Sequence, residues 1–239
     1  VAAARPCAAS AVFPRSRFAG PSVEVSRRHA ADGTLRAVVV VSKNANVATG
    51  AEGLAHAEEL AAGVAVSLGC DPADVLVAST GVIGRPYPMD RIRAHLSGLH
   101  GPFEGTDAVA AATGMMTTDT HPKSAASTLA TTDGGTASVV GIAKGVGMIE
   151  PDMATMLAFV FTDAAVAADR LDAVFRRVVD RTFNSLSVDT DTSTSDTAAV
   201  LADGAAGPVD EHDLEAALLA VCLDLTRQLA RDGEGAETL

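Results

Sequence analysis

The segment Ala137–Phe161 reads ASVVGIAKGVGMIEPDMATMLAFVF. Its ends, Ala137–Ala143 and Met156–Phe161, are runs of small, β-branched and apolar residues, which predict buried strands. Between them, Lys144–Thr155 gathers a lysine, two glycines, two acids, a proline and a threonine. The glycines let the backbone approach another group closely. Ala154-Thr155 stands at the mouth of the second strand. On local pattern alone Thr155 is an ordinary strand-end residue, because β-branched side chains favour extended backbone. The chemical alternative is that its hydroxyl attacks the Ala154 carbonyl. An N–O acyl shift and hydrolysis would then cut the chain and leave Thr155 with a free α-amine. A threonine hydroxyl is a weak nucleophile that an N-terminal amine can activate. That amine titrates at about pH 8 when unperturbed, close enough to neutrality to shuttle protons.

Working outward, Leu35–Ser42 (LRAVVVVS) predicts a buried strand running into the polar loop Lys43–Asn46. Ala51–Leu68 places Leu54, Ala57, Leu60, Ala61, Val64 and Leu68 on one helical face, with Gly69 where a left-handed cap belongs. Asp74–Ala78 (DVLVA) predicts a second buried strand, ending in Ser79–Gly84 (STGVIG), and a helix starts near Pro88. Thr113–Thr136 is rich in Thr, Asp and Gly and predicts loops and short strands rather than helix. Beyond Phe161, Asp163 is a candidate cap for a helix from about Ala165 to Phe183. A polar tract, Asp189–Thr197, precedes a short strand to Leu201, a Gly-rich turn, and a long helix from about Asp210 to Ala230. Strands and helices alternate without regular βαβ units, which predicts a layered α/β or α+β fold.

At 239 residues the chain can form one large domain or two small ones. Aromatics make up 3% of it, with no Trp, so the core must be built from Ala, Val, Leu and Ile. A net charge of −12 with no basic patch argues against nucleic acid as a partner. Arg27-Arg28 and Arg176-Arg177 lie among acids and read as solvated surface. Cys7, Cys70 and Cys222 are odd in number, far apart and without a CxxC. They predict neither a disulfide framework nor a metal site, and a reducing, cytoplasmic setting. No apolar run reaches the length of a membrane span, and Arg5-Pro6 interrupts the only stretch resembling a signal peptide.

Attack on an acyl carbon also needs donors for the developing oxyanion. Thr80 offers a hydroxyl and Gly81 an unhindered N–H after a predicted buried strand. In isolation, Ser-Thr-Gly at a strand end is also an ordinary turn, and Lys144 and Glu234 are also ordinary surface charges.

Taken together, the segments resemble the ornithine acetyltransferase family, also called bifunctional glutamate N-acetyltransferase. Lys144–Leu157 (KGVGMIEPDMATML) is similar to its self-cleavage segment. In matching order stand Asn44–Gly50 (NANVATG), Ser79–Gly84, Met116–Thr120 with Pro122-Lys123 (MTTDT-PK), Asp189–Thr197 (DTDTSTSDT) and Asp232–Gly235 (DGEG). The resemblance implies a self-processing N-terminal-nucleophile-type fold, with sheets sandwiched by helices. It implies cleavage between Ala154 and Thr155, giving an α portion, 1–154, and the start of a β portion, 155–239, that form a heterodimer and assemble further. Thr155 would be the nucleophile, Thr80 and Gly81 the oxyanion donors, and Thr118, Lys144, Thr155 and Glu234 the substrate contacts. The Thr117-Thr118 pair leaves that match open by one residue.

The implied reaction is ping-pong: Thr155 takes acetyl from N-acetylornithine, and glutamate then takes it from the acyl-enzyme. It needs no metal or cofactor; acetyl-CoA is an alternative donor. Some positions depart from the common family pattern: Val41-Ser42-Lys43, Thr190, Ser195 and Glu150. With Ser10–Ser22 (SAVFPRSRFAGPS), they resemble the type encoded with clavulanic acid biosynthesis. Family members are longer, so the resemblance implies a fragment or a defective copy that lacks C-terminal substrate contacts. An N-terminal-nucleophile aminopeptidase or amidase, and an inactive truncated chain that only folds or binds amino acids, are the competing readings.

Overall fold

The computed structural model describes residues 1–100, 105, 107–147, 156–189 and 193–235. The apolar runs become strands and the amphipathic stretches helices. In chain order the elements are β1 (Ala2–Val12), α1 (Pro21–His29), β2 (Thr34–Val41), α2 (Gly50–Leu68), β3 (Val75–Ser79), α3 (Met89–Ser97) and α4 (Ala108–Met115). They continue with β4 (Lys123–Ala130), β5 (Thr136–Lys144), β6 (Leu157–Ala165), α5 (Ala168–Arg181), β7 (Thr197–Pro208) and α6 (Glu211–Arg231).

The strands form one hydrogen-bonded sheet in the order β3-β2-β1-β7-β6-β5-β4. β2 pairs parallel with β3, and β6 parallel with β7; the other neighbours are antiparallel. The sheet is curled so that its two halves face each other. Leu35, Val38, Leu76 and Ala78 of β2 and β3 share one buried cluster with Ile142, Leu157, Phe159, Ala199 and Leu201 of β5, β6 and β7. Strand alternation sends the intervening side chains outward. Ala37, Val75 and Val77 pack on Ala57, Leu60, Ala61 and Val64 of α2. Val139, Ala158, Val160, Ala198 and Val200 pack on α5 and α6. The result is four layers, helix–sheet–sheet–helix. Apolar burial is the main favourable contribution to such a stack, and alternation lets one strand serve two cores.

Helix ends follow the expected chemistry. Asp210 caps α6 by accepting from His212 N and Asp213 N, and Gly69 closes α2 in the left-handed conformation, φ 62°. The open edge of β3 is covered from α1, where the Ser26 hydroxyl donates to Val77 O at 2.6 Å and accepts from Val77 N at 2.8 Å.

Two expectations need correction. Asp163 caps no helix: β6 runs on to Ala165, and the Asp163 carboxylate accepts from Ser138 N on the neighbouring strand at 2.6 Å. The short strand to Leu201 extends to Pro208, with a register shift opposite Thr162–Ala164 that lets it bend. Thr113–Thr136 is loop and strand as expected, holding β4 and only the last three residues of α4. Cys7, Cys70 and Cys222 are free thiols, and no helix among the described residues is long and apolar enough to cross a membrane.

α6 lies close on β5 because Gly141 has no side chain. A Cβ there would sit 2.6 Å from Val221 Cγ1 and 2.8 Å from Leu225 Cδ1. Gly141→Ala overpacks this contact and should cost about 1–3 kcal/mol. Urea denaturation at equilibrium measures it; an unchanged midpoint would refute the packing argument.

Candidate active site

Parallel pairing sets the ends of β2 and β3 side by side, with Val41 opposite Ser79. The loops leaving them are laced together. Thr80 N donates to Val41 O at 3.0 Å, Ala45 N to Val82 O at 3.0 Å, and Gly84 N to Val47 O at 2.8 Å. The Ser79 hydroxyl donates to Ala45 O at 2.9 Å, and buried Asn46 donates to Gly53 O at 2.8 Å. Lys43, Asn46 and Ala48 have φ of 69°, 52° and 60°. These left-handed conformations cost non-glycine residues energy, so the surrounding bonds must hold them. They bring the Lys43 backbone against Gly81, whose own φ is 122°. A Cβ on Gly81 would lie 2.4 Å from Lys43 C. The close approach requires glycine here. Among the described residues, nothing accepts the Gly81 N–H.

The curl of the sheet carries the end of β5 to this loop. Lys144, only 2% exposed, donates to Thr80 Oγ1 at 3.2 Å and to Thr117 Oγ1 at 2.8 Å. Burial pulls its pKa down, and the Asp119 carboxylate works against that pull. Lys144 is therefore no solvated surface charge. Thr117, rather than Thr118, touches the ammonium; Thr118 is exposed and lines the same cleft.

The DGEG turn arrives from the end of α6. Glu234 N donates to Val146 O at 2.6 Å, and the Glu234 carboxylate lies over Gly147, 3.1 Å from where a Cβ would stand. Below it, the Lys123 ammonium is wholly buried between Asp119 Oδ1 at 2.8 Å and Asp232 Oδ2 at 2.5 Å. Both acids have pKa values below the ordinary carboxylate value. Burial acts to raise them, but hydrogen bonds, those from Lys123 foremost, outweigh it. Asp119, Lys123 and Asp232 lie inside quoted motifs, yet residue type alone assigned them no part.

A cleft of about 610 Å³ opens over these groups, lined by Thr80, Gly81, Thr117, Thr118, Lys144, Val146, Gly147 and Glu234 with Lys43, Val82 and Asp189. Thr80, Gly81, Thr118, Lys144 and Glu234 thus share one cavity. Ala154 and Thr155 lie outside the described residues. The described residue next in the chain, Met156, is anchored: its N–H donates to Asp196 Oδ1 at 2.9 Å. Among the described residues, Asp196 Oδ2 and Thr197 Oγ1 are buried without a partner. The described residues contain no cluster of metal-ligating side chains. Lys43 and Lys144 supply positive charge, Asp189 and Glu234 negative charge, which together suit a zwitterion.

The chain matches the model of the ArgJ family over residues 1–239. An arginine biosynthesis bifunctional protein ArgJ of Rhodococcoides fascians is 57% identical over 235 residues, covering 98% of this chain and 57% of its own length. The glutamate N-acetyltransferase Oat2 of Streptomyces clavuligerus is 53% identical over 239 residues, covering 100% of this chain and 60% of its own. The chain therefore spans less than two thirds of the length of these relatives. Among solved structures, the ornithine acetyltransferase of Mycobacterium tuberculosis complexed with ornithine is similar at a TM-score of 0.50 and 32% identity, over 62% of this chain and 77% of that one. The L-aminopeptidase D-Ala-esterase/amidase of Ochrobactrum anthropi, a variant of the Ntn hydrolase fold, is similar in fold alone, at a TM-score of 0.51 and 12% identity over 95% and 74% of the two chains.

Burial holds the Asp196 carboxyl well above the ordinary carboxylate range, so the folded state favours its neutral form. The unfolded chain ionises at about pH 4. The native state therefore loses stability, relative to a neutral analogue, as pH rises from there towards the raised native value. Asp196→Asn should gain thermal stability against the parent as pH climbs from about 4 to about 7. Paired melting curves across that range would show it; a difference independent of pH would contradict a buried neutral acid.

Proposed function

The chain belongs to the ArgJ family, and we propose that it is a self-cleaving acetyltransferase that uses Thr155 to move acetyl from N-acetylornithine to glutamate. One observation carries the reading. Thr80, Gly81, Lys144 and Glu234 converge on one cleft, at the strand end that leads directly into the Lys144–Thr155 segment. Its similarity to an ornithine acetyltransferase and to a glutamate N-acetyltransferase supports it.

The chemistry runs in two stages. In maturation, Thr155 Oγ attacks the Ala154 carbonyl carbon, the C–N bond breaks, and water hydrolyses the resulting ester. The products are a carboxylate at Ala154 and an α-amine at Thr155. In turnover, that amine takes the Thr155 hydroxyl proton as Oγ attacks the acetyl carbon of N-acetylornithine. The oxyanion accepts hydrogen bonds from the Thr80 hydroxyl and the Gly81 N–H. As the C–N bond breaks, the proton passes to the departing nitrogen and ornithine leaves. The glutamate amine then attacks the acetyl-Thr155 ester, and its proton returns to Thr155 Oγ. Electrostatic preorganisation of this kind is worth most where water is excluded, and a dry site also protects the ester from hydrolysis.

Charge in the cleft suits both substrates. Lys144 and Lys43 offer cations to a carboxylate, and Glu234 and Asp189 offer anions to an amine. Thr118 stands at the rim as a further contact. Acetyl-CoA is admitted as an alternative donor, and no metal or cofactor takes part. Residues 1–154 and 155–239 would stay together as an α/β heterodimer and assemble further, in the cytoplasm.

Intact-mass measurement reads both stages. The purified chain should give two pieces divided between Ala154 and Thr155, and Thr155→Ala should remain whole. N-acetylornithine should add one acetyl mass to the piece that begins at Thr155. Thr80→Ala should still fold but turn over about 100- to 1,000-fold more slowly, the cost of one oxyanion donor. Cutting that persists in Thr155→Ala would refute the nucleophile. Acetate release that ignores added glutamate would favour an amidase, the reading consistent with the aminopeptidase fold.

A further inference from the structure

Lys144 is the cation that the Thr80 hydroxyl meets. An ammonium carries three donors and no acceptor. A hydroxyl that accepts from it keeps its own proton for another partner. A neutral amine does the reverse: its lone pair draws the hydroxyl proton back towards nitrogen. The charge on Lys144 therefore decides whether Thr80 points its proton into the cleft or away from it. We propose that Asp119 is a positioning residue that keeps Lys144 charged and seated between Thr80 and Thr117, so that the Thr80 proton faces the cleft. This rests on Thr80 being an oxyanion donor and explains how that donor is oriented.

The geometry singles out Asp119. Its side chain is fully buried, and its Oδ2 lies 3.8 Å from Lys144 Nζ. Oδ2 also accepts from Thr117 N at 3.1 Å, and Oδ1 accepts from Gly145 N at 2.8 Å. One carboxylate thus fixes the backbone of Thr117, the hydroxyl partner of Lys144, and of Gly145, its chain neighbour. The bond from Lys123 at 2.8 Å helps hold Asp119 ionised. Lys144 also feels Lys123 from β4, which discharges it; Asp196, just before β7, would oppose that only when ionised, and its burial favours the neutral form. Lys43, Asp189 and Glu234 complete the charges around the cleft.

The lysines of the chain are Lys43, Lys123 and Lys144. A spectrum of the full chain carrying heavy carbon at lysine Cε is therefore sparse, and Lys144 can be titrated directly. Its midpoint should lie below the ordinary lysine value. Asp119→Asn should lower it further, by about one to three pH units, the usual reach of one close opposite charge. If that variant does not fold, Asp119→Asn combined with Lys123→Met removes the buried pair together. The midpoint should still fall, by less, because the repulsion from Lys123 goes as well. The alkaline limb of kcat for acetyl transfer should move down with the midpoint. A Lys144 midpoint that stays or rises would overturn the role of Asp119. A midpoint that falls while the alkaline limb stays fixed would overturn the link to Thr80. A parent chain that transfers no acetyl at any pH would refute the proposed function, while the Lys144 titration would still decide whether Asp119 holds its charge.

Discussion

A buried ammonium must meet negative charge, and the site is arranged around one such meeting. Lys123 is enclosed between Asp119 and Asp232, the second 109 residues further along the chain. Desolvating these ions is costly, and such a pair adds little net stability over an apolar substitute. Its effect is to dictate which segments come together. Asp232 also accepts from the Thr120 N–H and hydroxyl, so the end of α6 is pinned to the turn before β4. Two residues on, Glu234 is delivered over Gly147. Asp119 is pinned in turn to Gly145, just past the end of β5. Three segments distant in sequence are thereby registered on a single carboxylate–ammonium–carboxylate line.

Much of this was legible in the residues, and the remainder was hidden for physical reasons. β2, β3, β5 and β6 are buried on both faces, so they are continuous apolar runs that periodicity finds. β1 was missed because Arg5 and Pro6 interrupt it, at a register shift that spares the ladder a donor there. Asp163 has the right type and place for a cap, but a backbone N–H on a neighbouring strand claimed its carboxylate. α4 is short and Ala-rich, with little contrast between its faces. Within the site, Lys144 and Glu234 take their roles from the family resemblance, whereas Thr80 and Gly81 are candidate donors by residue type that only the resemblance separates from an ordinary turn. Residue type and spacing left them as a turn and two surface charges. The structure moves Lys144 into the interior, which no local pattern encodes, because its partners come from two other segments.

The tuning of the cleft has the same origin. Thr80 belongs to the half of the sheet carrying β2 and β3, and Lys144 to the half carrying β5. Only the curl lets a side chain of one reach the other. The left-handed backbone at Lys43, Asn46 and Ala48 is local strain held in place by that contact and by the bonds to the 80–84 loop.

The strand order carries a last consequence. β6 and β7, which follow the Ala154–Thr155 bond, lie between β1 and β5, which precede it. On the proposed cleavage, each piece would be held by ladders and packing formed with the other. A chain that folds once as a single molecule would afterwards be two molecules, and its unfolding would become a dissociation. Refolding would then be second order, and the apparent melting temperature would depend on protein concentration. Dilute, cut protein that unfolds would have no rapid way back. The persistence of the mature form would be governed by the height of the barrier to opening the sheet rather than by the free energy that first closed it.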